Sequence, residues 1–338
     1  MGARPTILDV ARHAEVSKST VSLVLRDSPS VRPETRARVR RAMADIGYIY
    51  NRSAASLRSA RSGLIGLVVN DLQNPFFTEF ATTFQMALAD HGYATVIANT
   101  AECPDLQART LASLFEYGIS GIAISPAYGN EDATLAALAS TTTPALQVLR
   151  RFETGGGDLP FLAPDYSSGG ALGTRHLLER GCRRIAFLGG PDDRPVTRER
   201  MSGYLSELRA AGLAPIVRTG QSSREFGRGA MDWLRETHPN ADGVLCFNDL
   251  VALGVLASCA RAGSRTGRGS RAGGDIKVVG TDDIAAAGDS FPSLTTVSCH
   301  TRVLAHRAAD LFRDWIGKNR APPAVTRLPM SLVQREST

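Results

Sequence analysis

The stretch that decides the fold lies at the N-terminus, where residues 6–25 read TILDVARHAEVSKSTVSLVL. Thr6 and Asp9 have the spacing of a capping box, in which a hydroxyl and a carboxylate three residues apart close the first turn of a helix. Ala14-Glu15-Val16 predicts a tight turn, and Ser17 can cap the helix that follows. The stretch therefore predicts two short helices joined by a tight turn: Ile7 to His13 and Lys18 to Leu25.

Apolar residues recur at helical spacing through this region and predict which faces are buried. The inward residues of the first two helices are Val10, Ala11, Ala14, Val21, Val24 and Leu25. The residues expected to point outward from the second helix are Lys18, Ser19, Ser22 and Leu23. A third helix is predicted to begin at Pro33 and to stop at Gly47. Its apolar stripe consists of Val39, Met43 and Ile46.

The positive charge of the chain is concentrated at the same end. The 338 residues carry 39 Lys and Arg and 33 Asp and Glu, a formal net charge of +6. Residues 1–62 hold twelve of the bases and five of the acids, which gives them +7 and leaves −1 for the rest. Such a field attracts polyanions, and nucleic acid is the leading candidate. Three short helices with a tight turn predict a helix-turn-helix module whose second helix enters a major groove. A protein-docking module is the alternative that the charge disfavours.

These residues resemble the lactose/galactose repressor (LacI/GalR) family of bacterial transcription regulators. The resemblance rests on the run at 6–25, on TRARV at 35–39 and on GYIYNRSAASL at 47–57. It implies that residues matching Lys18, Ser19 and Leu23 read bases. Leu23 stands where the family often has an arginine, and a leucine can pack on a thymine methyl group but cannot bind guanine. The DNA-contacting residues implied by the resemblance are Thr6, Ser17, Lys18, Ser19, Thr20, Ser22, Leu23, Asn51, Arg52, Ala54 and Leu57.

The resemblance also implies a hinge at residues 51–62. The segment from Asn51 to Arg58 is too short to hold a helix alone, and in the family it becomes helical on the operator. Two hinges then pair in the minor groove, where a leucine matching Leu57 wedges between base steps. A plain linker is the alternative, since Arg, Ser and Ala are ordinary linker residues. Tyr50 departs from the proline that often precedes the asparagine.

From Leu64 onward, short apolar runs alternate with amphipathic stretches, a rhythm that predicts parallel sheets covered by helices on both faces. The predicted strands are Leu64–Val69, Ala94–Ala98, Gly121–Ser125, Ala145–Leu149, Arg184–Leu188, Gly243–Cys246, Lys277–Val279 and Ser331–Val333. The predicted helices are Phe76–His91, Leu106–Tyr117, Gly169–Arg180, Met201–Ala211, Gly227–Glu236 and Asp249–Ala262. Two sheets fit the length, with a ligand crevice at the carboxyl ends of the strands.

The fold class expected is an N-terminal all-α helix-turn-helix module plus an α/β core of two doubly wound parallel-sheet subdomains. The resemblance implies that this core is similar to periplasmic sugar-binding proteins. The expected organisation is a DNA-binding domain at 1–50, the hinge at 51–62 and an effector-binding and dimerisation core at 63–338. Within the core, subdomain one is expected at about 63–160 plus 292–322. Subdomain two is expected at about 161–291 plus 323–338.

Several function classes lack their usual sequence features. There is no G-x-G-x-x-G, P-loop, G-x-S-x-G or H-E-x-x-H motif, so we expect neither an enzyme nor a cofactor. The five cysteines never form C-x-x-C and are expected to be reduced core thiols, not zinc ligands. No apolar run is long enough to span a membrane, and residues 1–5 open no signal peptide. We therefore expect a cytoplasmic bacterial protein that is nucleoid-associated when bound to DNA.

The residues at the ends of the predicted strands suit a small polar ligand. Aromatic rings, guanidinium groups and carboxylates recur there, and rings stack on a sugar while charged groups bind its hydroxyls. The effector-binding residues that the resemblance implies are Phe76, Phe77, Arg200, Asn248 and Asp282, with Asp71 and Arg150 nearby. For each residue a structural role is the alternative: a helix cap for Asp71, core packing for Phe77, a surface charge for Arg150. The sequence departs from the family at Leu149, Thr281 and Gln221-Ser222, so the ligand does not transfer by analogy.

These features predict a sequence-specific DNA-binding transcriptional regulator that acts as a repressor. Its operator affinity is expected to be controlled by a small polar effector such as a sugar or a related metabolite. We expect a homodimer, with a tetramer as the alternative, because no leucine-heptad tail follows the last strand. The expected operator is near-palindromic. The alternatives are a solute-binding protein without DNA function and an α/β enzyme with a fused DNA-binding head. The Gly/Ser/Arg-rich stretch from Arg261 to Gly274 reads as a flexible surface loop or a second nucleic-acid contact.

Overall fold

The computed structural model describes residues 5–25, 27–50, 63–129, 131–153, 159–263, 266 and 276–338. The chain divides into two compact units, Met1–Ser62 and Gly63–Thr338. Within the described residues, no helix combines the length and the apolar character needed to cross a membrane.

The N-terminal unit contains the three helices that the sequence predicts: α1 (Ile7–His13), α2 (Lys18–Leu25) and α3 (Pro33–Asp45). The capping box is confirmed, because the backbone N–H of Thr6 donates to Asp9 Oδ2 at 2.8 Å and that of Asp9 donates to Thr6 Oγ1. Glu15 adopts a left-handed backbone with φ of 51°, which turns the chain sharply between α1 and α2. The small core of the unit consists of Val10, Ala11, Ala14, Val21, Val24, Val31, Val39 and Ala42.

The first lobe of the larger unit is built on a six-stranded sheet in which every described pairing is parallel. Its strands lie in the order β11 (Val325–Leu328), β5 (Phe161–Pro164), β4 (Ala145–Val148), β3 (Gly121–Ile124), β1 (Leu64–Val69) and β2 (Ala94–Asn99). The helices of this lobe are α4 (Pro75–Ala89), α5 (Pro104–Glu116), α6 (Glu131–Ala139) and α12 (Thr301–Lys318). The central strands are almost fully buried, as expected for a sheet covered on both faces.

The second lobe repeats this plan. Its six strands lie in the order β12 (Ser331–Val333), β10 (Thr295–Ser298), β9 (Lys277–Asp282), β8 (Gly243–Cys246), β6 (Ile185–Leu188) and β7 (Ile216–Arg218). Only β12 runs antiparallel to its described neighbour, β10. The helices of this lobe are α7 (Tyr166–Glu179), α8 (Pro195–Ala210), α9 (Arg224–Thr237), α10 (Asp249–Arg261) and α11 (Ala285–Asp289).

The chain passes between the lobes after β5, after β10 and after β11, and these positions correct the predicted subdomain bounds. The strand Phe161–Pro164 belongs to the first sheet, because Leu149 N–H donates to Leu162 O at 2.9 Å. The strand Thr295–Ser298 belongs to the second sheet, where it pairs with β9. Val325–Leu328 returns to the first sheet beside β5. The predicted boundaries between the subdomains, near residues 160, 291 and 322, each lie several residues before the observed crossings.

The prediction for the cysteines is wrong at one position. Cys182, Cys246, Cys259 and Cys299 are buried free thiols, whereas Cys103 is exposed. Cys103 directly precedes the proline that begins α5, so it lies at a helix end and not within a buried stripe.

Candidate functional site

The N-terminal end of α2 presents a group of hydroxyls. Ser17 caps the helix by accepting a hydrogen bond from Thr20 N–H at 3.1 Å. The Ser17 Oγ also lies 2.6 Å from Ser19 Oγ and 2.9 Å from Thr20 Oγ1. Ser17, Lys18 and Ser19 are exposed, and Lys18 makes no ion pair with any described residue. Flexible donors at an exposed helix N-terminus suit contacts with base edges and phosphates.

Two of the predicted DNA-contacting side chains have structural roles as well. Leu23 was expected to point outward, but it is only half-exposed and packs against the core of the N-terminal unit. The amphipathic stripe of α2 is wider than the spacing of Val21, Val24 and Leu25 indicated, which is the reason for this error. The hydroxyl of Thr6 donates to Asp9 Oδ2 at 2.7 Å, so the capping box engages it.

Most acids of the N-terminal unit are paired with bases of the same unit, and the bases in excess remain without an ion pair among the described residues. Asp27 accepts from both Arg36 and Arg40 at 2.9 Å, and Asp9 pairs with Arg12 at 3.0 Å. The exposed cations that form no ion pair with a described residue are Lys18, Arg32, Arg38 and Arg41. The positive field found in the sequence therefore lies on solvent-facing side chains. The predicted hinge residues Asn51, Arg52, Ala54 and Leu57 lie outside the described residues, as does most of the stretch from Arg261 to Gly274.

A cavity of about 360 Å³ lies between the two lobes at the carboxyl ends of their strands. It is lined by all seven predicted effector-binding residues: Asp71, Phe76, Phe77, Arg150, Arg200, Asn248 and Asp282. The first lobe contributes the first four, from the segments that follow β1 and β4 and from the start of α4. The second lobe contributes the other three, from α8 and from the ends of β8 and β9. Residues from distant parts of the chain thus meet in a single site, as the doubly wound topology requires.

Arg200 and Asp282 form a buried ion pair at the second-lobe side of the cavity. Arg200 Nη2 donates to Asp282 Oδ1 at 3.0 Å, and Arg200 Nη1 donates to the carbonyl of Phe247. The guanidinium also lies over the rings of Tyr166 and Phe247, with its Cζ 4.8 and 4.6 Å from their centroids. Arg200 Nε is buried without a partner among the described residues, so this side chain retains a donor.

Burial raises the pKa of Asp282 to about 6, although the Arg200 charge works in the opposite direction. The Cys299 thiol lies 3.8 Å from the same carboxylate, and burial raises the pKa of that thiol well above its usual value. The pKa of the Tyr166 phenol is also raised by burial, and its hydroxyl donates to the carbonyl of Leu149 at 2.9 Å. Near neutral pH the pair is therefore an ionised carboxylate and a guanidinium among neutral groups.

A second charged pair lines the first-lobe side. Arg150 Nη1 donates to both carboxylate oxygens of Glu102, at 2.8 and 3.0 Å. Asn70, fully buried, donates to Glu102 at 2.7 Å and accepts from Ser125 at 3.0 Å. The Arg150 guanidinium lies over the Phe77 ring, 5.7 Å from its centroid. Arg150 is thus an oriented cavity residue and not a surface charge.

Some predicted residues also have structural roles; the core packing expected as the alternative for Phe77 is present, whereas the helix cap expected for Asp71 is not, because Asn74 caps that helix. Asn248 caps α10 by accepting from Val251 N–H at 3.0 Å. Asp71 accepts from Gln73 N–H at 2.9 Å and forms no ion pair with a described residue. Phe77 is buried and packs edge-on against Phe76. These roles fix the side chains in place at the cavity wall without removing them from it.

Sequence reasoning missed several residues of the cavity lining, among them Glu102 and Tyr166. Tyr166 follows β5, a strand that the apolar pattern did not reveal. Glu102 follows β2 and has a left-handed backbone conformation, with φ of 59°. No feature of the sequence predicts this conformation. Among the departures from the family, Leu149, Gln221 and Ser222 line the cavity, whereas Thr281 bonds the carbonyl of Cys246.

The described residues contain no group of three or more His, Cys, Asp or Glu side chains that could hold a metal ion. The cavity offers hydrogen-bond donors, acceptors and ring faces, which are the groups that bind a small polar molecule by its hydroxyls.

Comparison with known proteins relates both units to regulators. The chain is 30% identical over 333 residues to the ribose operon repressor of Halalkalibacterium halodurans, covering 98% of this chain and 97% of that one. It is 32% identical over 338 residues to the lactose operon repressor of Escherichia coli, covering 98% and 90%. A solved structure of the lac repressor dimer bound to operator and the anti-inducer ONPF superposes with a TM-score of 0.86 at 27% identity, covering 99% of each chain.

Two family descriptions match separate parts of the chain. Residues 174–338 match the periplasmic binding protein-like domain, and residues 6–51 match the bacterial regulatory proteins of the lacI family. A helix-turn-helix head on a two-lobed binding core defines a DNA-binding transcriptional regulator that responds to a small-molecule effector. The chain belongs to the lacI family of bacterial regulatory proteins.

Proposed function

We propose that this regulator represses transcription as a homodimer on a near-palindromic operator, and that a sugar or a related polyhydroxylated metabolite binds between the lobes to change its operator affinity. The observation that carries the proposal is the convergence of Arg200, Asp282, Asn248, Asp71 and Arg150 on one cavity with aromatic walls. In such a site, the hydrogen bonds that the hydroxyls of a sugar make with water are replaced by hydrogen bonds to oriented protein groups.

The head supports the DNA-binding part of the proposal. Lys18 and Ser19 are exposed at the start of α2, where a recognition helix presents side chains to base edges. The role of Leu57 as a minor-groove wedge stays a prediction from the sequence, as do those of Asn51, Arg52 and Ala54. A twofold symmetric dimer reads two half-sites in opposite orientation, which is the reason to expect a near-palindrome.

The relatives favour a sugar and a dimer. Two are named as repressors of the ribose and lactose operons, and the superposed structure is a dimer that binds an operator and an anti-inducer together. A regulator whose ligand is chromosomal DNA works in the cytoplasm, on the nucleoid. We propose no catalytic step, because these relatives are named as repressors.

A thermal-shift screen of the full chain against sugars and nucleosides tests the effector. A compound present at about 100 times its dissociation constant stabilises the folded protein by about 2.7 kcal/mol. Operator fragments selected from random DNA are then titrated with the protein, with and without each stabilising compound. The proposal predicts that at least one sugar both stabilises the protein and changes operator affinity. Stabilisation by nucleosides alone, or sugar binding that leaves operator affinity unchanged, would contradict it.

A further inference from the structure

Three consecutive residues of α8 contact three different parts of the larger unit. Arg200 reaches the cavity and Asp282, as described above. Its neighbour Glu199 accepts from Arg327 Nη2, at 3.0 Å through Oε1 and 2.9 Å through Oε2. Arg198 pairs with Glu153 of the first lobe. Successive side chains on a helix point about 100° apart, so three consecutive residues of α8 can reach three different partners.

Arg327 lies where the lobes are connected. It belongs to β11, close to the point where the chain leaves the first lobe for β12. Its Nη1 donates to the carbonyl of Pro164 at 2.9 Å, and Pro164 ends β5, the strand from which the chain first enters the second lobe. The guanidinium also stacks on Phe161, with its Cζ 4.8 Å from the ring centroid. Arg327 therefore joins two of the three connections to helix α8.

The Arg198–Glu153 and Glu199–Arg327 ion pairs, both between the lobes, differ in strength. The side chains of Arg198 and Glu153 are 51% and 46% exposed, and pairs this open contribute little. The side chains of Arg327 and Glu199 are 28% and 24% exposed, and Arg327 is held by three contacts at once. A planar guanidinium fixed on a carbonyl, a carboxylate and a ring tolerates little rotation. The Glu199–Arg327 contact is thus the better suited of these two ion pairs to hold the lobes at a defined angle.

We propose that Glu199 and Arg327 form a positioning pair that sets the angle between the lobes, and that Arg200 couples this angle to the occupancy of the cavity. A ligand that engages Arg200 moves the second turn of α8, and Glu199 moves with it because the two residues are neighbours on one rigid helix. The Glu199–Arg327 contact then survives only at one of two lobe angles, which makes it a two-state element biased by the ligand. Its consequence for DNA binding rests on the proposed function.

Interlobe distances measured by electron spin resonance test this proposal without DNA or sugar. The full chain carries Cys103→Ser, and spin labels are placed at Glu116→Cys in the first lobe and Glu236→Cys in the second. Labelled chains are diluted with unlabelled ones, so that only distances within one chain are recorded. Glu199→Gln is expected to broaden the distribution of interlobe distances. Arg327→Lys keeps the positive charge opposite Glu199, so its distance distribution should be narrower than that of Arg327→Gln. The double variant Glu199→Gln/Arg327→Gln should broaden it no further than either single change.

Glu207→Gln is the matched control. Glu207 lies on the same helix and pairs with Arg175 at 2.5 Å, but both residues belong to the second lobe. It is expected to leave the distribution unchanged. Circular dichroism checks that each variant is folded. The proposal would be overturned if folded Glu199→Gln had the same distance distribution as the unsubstituted protein. It would also be overturned if Glu207→Gln broadened the distribution as much as Glu199→Gln does. Since no operator or sugar enters the measurement, a failure of the proposed function alone leaves its result intact.

Discussion

Arg200 Nη2 lies 3.0 Å from Asp282 Oδ1, and the two side chains are 7% and 4% exposed although they line a cavity. Removing two charges from water is costly, so a pair this deep is held by further contacts. Phe247 supplies a carbonyl, and the rings of Tyr166 and Phe247 enclose the guanidinium. The pair is therefore fixed in orientation before a ligand arrives, which reduces the entropy that binding must overcome.

The first prediction concerns Asp282→Asn, which keeps the shape of the side chain and removes its charge. A hydrogen bond to a charged group contributes about 1.5–3 kcal/mol, so the dissociation constant of the sugar should rise about 10- to 100-fold. Calorimetric titration of the full chain measures this. Operator affinity without sugar should stay within twofold of the parent, because the head folds as a separate unit.

Asp283→Asn is the matched control for that change. Asp283 follows Asp282 directly but pairs with Arg335 and is not part of the cavity lining. It should leave sugar affinity unchanged. Unaltered affinity in Asp282→Asn, or an equal loss in Asp283→Asn, would reassign Asp282 to a structural role.

The second prediction is a pH dependence of sugar binding. A sugar hydroxyl that donates to Asp282 binds the carboxylate, and the pKa of this group is raised to about 6 in the protein. Affinity should therefore be constant above about pH 7 and should fall below pH 6, by at most about tenfold per pH unit. Tyr166 and Cys299 stay neutral throughout this range, because burial raises the pKa of both. Titrations between pH 5 and 8 measure the effect, and Asp282→Asn should abolish it; a decline that persists in this variant would assign the titration to another group.

How much of this could be read from the sequence depends on the element. Strands β1 and β8 were predicted with their observed bounds, because continuous apolar runs are typical of buried parallel strands. Strand β10 was missed because its residues Thr295, Thr296 and Ser298 are polar, yet each is buried. Their hydroxyls find partners inside the fold: Thr296 Oγ1 donates to Asp249 at 2.5 Å. Apolar periodicity cannot detect a strand whose polar groups are satisfied by residues far along the chain.

The cavity shows the same division. Asp71 and Asn248 follow strands that the pattern revealed and Asp282 ends another, so their convergence could be predicted. Glu102 could not be, since its position depends on Asn70 and Arg150, two partners that no local rule connects. The predicted lobe boundaries failed for a related reason: β5, β10 and β11 are only four residues long, and the sheet that each one joins is decided by long-range pairing.

The third prediction tests base readout by α2. Lys18→Ala removes an exposed donor from the helix proposed to enter the major groove and should weaken operator binding by about 1–3 kcal/mol, with a smaller effect on random DNA. Fluorescence anisotropy on both DNAs at fixed salt measures the difference. Lys318→Ala, an exposed lysine of α12 in the larger unit, controls for the loss of one positive charge. Equal losses on operator and random DNA would make Lys18 a phosphate contact.

The fourth prediction concerns the packing that positions Arg200. Helices α7 and α8 cross at glycines, and a Cβ added at Gly203 would lie 2.0 Å from the carbonyl oxygen of Ser167. Gly203→Ala must therefore separate the two backbones, at a cost of about 1–3 kcal/mol, and it should also weaken sugar binding because Arg200 lies on the displaced helix. Gly229→Ala is the matched control. A Cβ added at Gly229 in α9 meets nothing within 4 Å. Gly229→Ala should stabilise the protein by about 0.5–1 kcal/mol through its helix propensity, with sugar affinity unchanged. Thermal unfolding and calorimetry of both variants measure these effects, and a Gly203→Ala protein as stable as the parent would show that the crossing relaxes without moving Arg200.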